Sequence, residues 1–246
     1  MDITEGCAAR IAPFRRIGEL KVERKSVALD GPSGAGKSTL AKRVAEHFGF
    51  IYVDTGALYR CVGLFVLRNN VSSKDELGIC ALLSRIELEM KYDMAGTQRM
   101  LLNGEDVTDA IRQPEVSTYA SDVSAIPRVR TFLLSMQRDM ADKYDVVMDG
   151  RDIGTVVLPS AGLKIFITAD AEARAKRRHL ELQEKGFDTT LDEVLTEMNS
   201  RDKNDSERAI APLKAAEDAV TLDTTDLNLD ESFMALCKLI SGKFGL

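Results

Sequence analysis

Gly31-Pro32-Ser33-Gly34-Ala35-Gly36-Lys37-Ser38 has the G-x-x-x-x-G-K-S/T spacing of a phosphate-binding loop. Its glycines let successive backbone N–H groups turn toward phosphate oxygens, and a helix opening near Thr39 adds its positive dipole end. Lys37 would neutralise β- and γ-phosphates, and Ser38 would offer a hydroxyl to Mg2+. The loop implies a nucleoside triphosphate site but leaves the reaction open. In Asp54-Thr55-Gly56-Ala57-Leu58-Tyr59-Arg60, Arg60 could hold a second phosphate, or Asp54 or Thr55 could simply cap a helix. In Asp149-Gly150-Arg151-Asp152, an acid could hold Mg2+ through water while Arg151 reaches an anion; the bland alternative is a turn closed by one salt bridge. Arg174, Arg177 and Arg178 are spaced to share one helix face with no acid between them, which favours a polyphosphate clamp over a solvated face. Arg201, Asp205 and Arg208, at i, i+4 and i+7, form either a surface ladder or a row facing ligand. Arg130, following Ser121 and Pro127, is uninformative in isolation.

These residues need a scaffold, and the apolar runs supply one. Val27-Ala28-Leu29, Ile51-Tyr52-Val53, Val146-Val147-Met148, Lys164-Ile165-Phe166-Ile167 and Ala219-Val220-Thr221-Leu222 each precede a polar residue and, in most cases, a helical pattern. Buried strands alternating with helices predict an α/β fold with a five-stranded parallel sheet covered on both faces. Between 72 and 112 the pattern changes. Ile86 to Met90 alternates apolar and polar, Gln98 to Leu102 looks extended, and Asn103-Gly104 supplies a turn, so a small antiparallel insertion is expected there. Asp170 to Gly186 and a second helix opening at the capping box Thr190-x-x-Glu193, running to about Arg208, predict a helical hairpin at about 170–210. The α/β core then comprises 26–71 and 113–246, with residues 1–25 as an N-terminal extension.

The composition narrows the class. Hydrophobic residues at 44% and charged residues at 29% of 246 fit a folded globular chain. A net charge of −6, from 33 basic and 39 acidic residues, argues against a sequence-independent grip on nucleic acid. No run is long enough to span a membrane and no secretory leader is evident, so the expectation is a cytoplasmic protein. Cys7, Cys61, Cys80 and Cys237 are isolated and read as reduced, packed thiols; His47 and His179 are too few for a histidine metal site or a Ser-His-Asp triad.

In order along the chain, the three motifs, with Asn103-Gly104-Glu105-Asp106-Val107, Pro127-Arg128-Val129-Arg130, Ile153-Gly154-Thr155-Val156-Val157 and Leu182-Gln183-Glu184-Lys185-Gly186-Phe187, resemble the bacterial-type cytidylate kinases. The likeness runs from about Val27 to Ile240. It implies a P-loop NTPase-type sheet, a monophosphate-binding region carrying the antiparallel insertion, and an arginine-bearing lid. The implied reaction transfers the γ-phosphoryl of ATP to CMP or dCMP with Mg2+, placing the chain in pyrimidine metabolism. By position, Lys37, Arg151, Arg178 and Arg201 resemble the catalytic cations, with Arg174 and Arg177 as further ATP-side lid groups. Thr55, Arg60, Arg130, Arg151 and Arg208 resemble the groups around CMP; Ser121, Arg130 and Asp152 those that read cytosine; and Asp205 the carboxylate that takes the ribose hydroxyls. Ser38 and, through water, Asp149 resemble the metal-binding pair. Ser38 stands where several relatives carry glycine, and Thr55 replaces a common serine.

The residue types suit this chemistry. A phosphate monoester has a second pKa of about 6, so the acceptor oxygen is already largely ionised at neutral pH and needs no general base. The demand is for in-line placement of two anions and stabilisation of transferring charge, which is work for a lysine, Mg2+ and planar arginines. Rival readings are a P-loop kinase for UMP, AMP or shikimate, or a nucleotide switch, the latter lacking any Asn-Lys-x-Asp stretch. A monomer without nucleic-acid or membrane partners is the expected state.

Overall fold

The computed structural model describes residues 24–94, 96–184 and 186–246. Cys7, most of the expected extension, and Lys185 lie outside the described residues. Five apolar runs form one parallel sheet: β1 (Ser26–Asp30), β2 (Ile51–Asp54), β6 (Val146–Gly150), β7 (Leu163–Thr168) and β8 (Val220–Asp223), ordered β2-β6-β1-β7-β8. The order reverses direction at β1, where the carboxyl ends of neighbouring strands open a crevice for ligand. On one face, α1 (Lys37–Phe48) and α8 (Leu229–Phe244) bury Leu40, Val44, Leu236 and Ile240 against Val27, Leu29, Ile165 and Ile167. The opposite face carries a π-turn at Ile153–Val157, whose Ile153 and Val157 pack on Ala28, Val53 and Met148. This agrees with the α/β P-loop architecture expected from the sequence.

A second apolar cluster joins α2 (Thr55–Arg68), α4 (Pro114–Ser124) and α5 (Pro127–Lys143) to the insertion through Leu58, Val62, Val123, Val129 and Leu133. The insertion contains α3 (Glu76–Leu82) and an antiparallel sheet of β3 (Leu88–Tyr92), β4 (Gln98–Leu102) and β5 (Glu105–Asp106). Asn103 and Gly104, at φ 51° and 83°, make the tight turn that the dipeptide predicts. The first strand starts at Leu88, not Ile86, because Leu83–Arg85 forms a 3₁₀ turn and Ile86 is drawn into the helical cluster. The segment expected to be a lid is a hairpin of α6 (Ala171–Glu184) and α7 (Leu191–Glu207), held by Ala175, Leu182, Val194 and Met198. Thr190 and Glu193 form the anticipated capping box.

Gly31 shows how tightly the first loop is set against the sheet. Its φ is 150°, and a Cβ there would lie 1.9 Å from the Ile167 carbonyl oxygen. Gly242, exposed in α8, has open space around the same position. Gly31→Ala is expected to lower the thermal midpoint by at least about 5 °C, whereas Gly242→Ala leaves it unchanged or raises it. Equal midpoints in a calorimetric comparison would contradict this packing account.

Candidate active site

Three adjacent strands end in acids on one edge of the sheet. The register sets Asp54 of β2 beside Asp149 of β6, and Asp30 of β1 beside Gly150. The loop after β1 leads into α1, whose N-cap is Gly36 at φ 81° with no side-chain cap and no acid in its first turn. By contrast α2, α7 and α8 are capped by Asp54, Thr190 and Asn228. The leading amides of α1 are thus left for an anion, facing a cavity of about 1330 Å³. Ser33 to Thr39 line this cavity; Gly31 and Pro32 shape the loop behind it. Lys37 is buried, and its Nζ donates to the Pro32 carbonyl at 2.6 Å. Burial, with Arg151 and Arg201 nearby, holds its pKa well below that of an ordinary lysine.

Ser38 Oγ donates to Asp149 Oδ2 at 2.6 Å, and Tyr52 OH donates to Asp149 Oδ1 at 3.1 Å. Thr55 Oγ1 donates to the Asp149 carbonyl at 2.8 Å, fixing the end of β6 to the start of α2. A hydroxyl and a carboxylate that reach one point beside an open phosphate loop suit Mg2+, a hard ion that keeps phosphate and water among its ligands. Among the described residues no group of three His, Cys, Asp or Glu side chains could cage a metal, so the fit is to a shared ion of this kind. Burial and the adjacent Asp54 charge push the Asp149 carboxyl up to about 6. Asp54 behaves oppositely: burial works to raise it, but Arg112 and Arg60 hold it below the usual carboxylate range. Arg112 donates to Asp54 Oδ2 at 2.7 Å.

Across the cavity, Arg130 bonds Asp152 Oδ2, and Arg208 donates to Asp152 Oδ1 at 3.3 Å. Arg130 also reaches the Ser124 carbonyl at 3.1 Å, and its guanidinium lies 5.5 Å from the Tyr59 ring centroid. Ser121 lines the same cavity, and its buried Oγ has no hydrogen-bond partner among the described residues. The structure therefore brings Ser121, Arg130, Asp152 and Arg208 together although the chain separates them. Burial raises Asp152 against the pull of Arg130 and Arg208. Arg151 donates to Asp205 Oδ2 at 2.9 Å, and Arg208 stands 3.9 Å from Asp205 Oδ1. Arg208 occupies the C-cap of α7, with extended backbone, so the spacing that links it to Arg201 and Asp205 continues just past the helix.

Arg60 and Arg201 are the least satisfied cations. Each has a buried Nε with no hydrogen-bond partner among the described residues, and both line the cavity. Burial and the neighbouring Arg151 and Arg60 lower Arg201 to about 10; burial likewise lowers Arg60. The lid arginines do not form the unpartnered row that their spacing implied. Arg174 is buried outside the cavity lining, donates to the Ser33 carbonyl at 2.8 Å, and pairs with Asp202. Arg177 donates to the Thr224 carbonyl at 2.6 Å, and Arg178 pairs with Glu181 at 2.8 Å; both line the cavity. Sequence separation hid these partners, except Glu181, which sits one turn from Arg178. Asp30, Tyr52, Arg112 and Asp202 escaped the sequence reading. Asp30 and Asp202 directly adjoin motif residues, and that adjacency was the available signal; Tyr52 and Arg112 carried none.

A family model described as cytidylate kinase matches residues 27–241. A cytidylate kinase of Caldicellulosiruptor bescii is 51% identical over 89% of this chain and 96% of its own length. One from Syntrophotalea carbinolica is 48% identical over 87% of this chain and 91% of its own. Among solved structures, a shikimate kinase from Bacteroides thetaiotaomicron aligns with a TM-score of 0.44 at 14% identity, over 88% of this chain and 98% of that one.

The raised Asp149 pKa has a thermodynamic sign. A carboxyl whose folded pKa exceeds its unfolded value destabilises the fold once ionised, and the cost fades as pH falls through the folded pKa toward the unfolded one. The rise from 3.8 to about 6 therefore costs stability above about pH 6. Asp149→Asn should therefore raise the midpoint by a few degrees at pH 7.5 while abolishing turnover, and the gain should shrink toward pH 4. A variant less stable than wild type at pH 7.5 would contradict the assignment of this carboxylate as a strained group.

Proposed function

The chain belongs to the cytidylate kinase family and is an enzyme that phosphorylates CMP with ATP; from that premise we propose how its own residues divide the work. The observation that carries the reading is the single cavity shared by the uncapped phosphate loop, the Ser121–Arg130–Asp152–Arg208 cluster and the half-satisfied Arg60 and Arg201. The loop amides and Lys37 hold the triphosphate. Ser38 and Asp149 would hold Mg2+, which when bound would neutralise phosphate charge. Arg60, Arg151 and Arg208 draw in the acceptor phosphate, whose oxygen attacks without a general base.

Cytosine differs from uracil at N4 and N3. The Asp152 carboxylate accepts from the N4 amine, and Arg130 with Ser121 donates to N3 and O2, so uracil would meet an acceptor with an acceptor. Asp205 takes the ribose hydroxyls while keeping Arg151 aimed inward. Arg178 and Arg201 meet the transferring phosphoryl, and the lid excludes water. Arg174 and Arg177 act on the ATP side by holding the loop and the segment after β8. CMP and dCMP are both within the range of such a site. No described helix is long and apolar enough to cross a membrane, and cytoplasmic action as a monomer, without nucleic acid, is the reading that accompanies this one.

An ADP-release assay with MgATP against CMP, dCMP, UMP, AMP, GMP and shikimate tests the acceptor. CMP and dCMP should exceed every other acceptor by at least about tenfold in kcat/KM. Turnover chiefly with another acceptor would keep the fold and sink the cytosine assignment. Arg178→Ala should lower kcat by about a hundredfold with less than a threefold change in KM for CMP; equal losses in both would make this arginine structural.

A further inference from the structure

Asp152 occupies the N-cap position of the turn Ile153–Val157, at φ −147° and ψ 27°. An aspartate there ordinarily folds back to bond the amide of the second or third residue of the turn. This one makes no such bond; its two oxygens go to Arg130 and Arg208. One amide it would have served, Gly154 N, and the amide before it are taken by a residue from another strand. Ile153 N donates to Asp30 Oδ1 at 2.7 Å, and Gly154 N donates to Asp30 Oδ2 at 2.8 Å. Asp30 is 4% exposed and does not line the cavity. It ends β1 one residue before the phosphate loop, yet among the described residues both its oxygens are committed to the turn.

We propose that Asp30 is a positioning residue for acceptor selection, which caps the Ile153 turn in place of Asp152 and so leaves the Asp152 carboxylate free to face the base. The proposal rests on the reading of Asp152 as the group that accepts from cytosine N4. A buried amide deprived of its acceptor is costly, and Gly154 N, second residue of the turn, is an amide that a carboxylate at the N-cap position of Asp152 can serve. Loss of one Asp30 oxygen therefore pulls Asp152 toward the turn and away from Arg130, Arg208 and the base. Asp30 touches no substrate; it acts through where Asp152 points. A strut of the phosphate loop, the competing role for a residue at this place, would damage the ATP side instead.

Asp30→Asn keeps the shape and removes one acceptor. Its kcat/KM ratio for CMP over UMP is expected to fall at least about tenfold, through a higher KM for CMP, while KM for ATP stays within about threefold. Calorimetric titration of CMP and UMP without ATP should show the same loss of preference. If Asp30→Asn does not fold, Asp30→Ser, which retains one acceptor and removes the buried charge, carries the comparison. A raised KM for ATP with an unchanged CMP-to-UMP ratio would overturn the proposal. Asp152→Asn belongs in the same assay. Collapse of the ratio in Asp152→Asn alone refutes the role of Asp30 and spares the base reading; an unchanged ratio in Asp152→Asn refutes both.

Discussion

Charges of both signs are crowded at the carboxyl ends of β2, β6 and β1, and neither set could stand there alone. Two unit charges about 4 Å apart interact by roughly 4 kcal/mol at an effective dielectric of about 20, so an unmatched acid beside Asp149 or an unmatched arginine beside Arg151 would be expelled or neutralised. The structure answers with interleaving. Arg112 sits on Asp54, Arg151 on Asp205, and Arg130 and Arg208 on Asp152. What remains is a deliberate imbalance: the buried Nε groups of Arg60 and Arg201 have no partner among the described residues, and Lys37 donates only to its own loop. In the proposed function, anionic substrates complete the set, and the binding that brings two repelling phosphates together also relieves the repulsion among the cations.

The fold holds that arrangement rigid on the side of the sheet, and in the proposed function the α6–α7 hairpin is the side that moves. Parallel pairing with apolar residues on both faces fixes the strand ends, and hence Asp30, Asp54 and Asp149, to within the register of the sheet. The α6–α7 hairpin has its own apolar cluster, separate from those of the sheet. Its connection to the phosphate loop includes a polar seam, in which Asp202 accepts from Ser33 N at 3.0 Å and pairs with Arg174, beside the packing of Met198 on Gly34. Polar seams between internally apolar bodies are what a closing element requires, since such bonds can be exchanged with water or ligand at modest net cost.

Much of this was legible in the residues. The glycine loop, the five apolar runs, the Asn103-Gly104 turn and the Thr190 capping box each act through local chemistry, and each formed as expected. Partners brought together by topology were not legible. Nothing near Arg174 signals Asp202, because the pair is made by the return of the lid helix, and nothing near Asp152 signals Asp30, which lies more than a hundred residues earlier. The α3 helix was also missed. It has seven residues and buries only Ile79 and Leu82, too short a run for a helical period to emerge. The family likeness supplied roles that spacing alone left open, above all the assembly of Ser121, Arg130 and Asp152.

Calorimetric titration of the nucleotide-free protein with CMP and with cytidine tests the central claim most directly, because the two ligands share the base and sugar and differ only in the phosphate. If unsatisfied arginines await an anion, CMP binds at least about a hundredfold more tightly than cytidine, and the gap narrows as salt rises. Equal affinity for the two, indifferent to salt, would mean that the arginine cluster does not hold the acceptor phosphate.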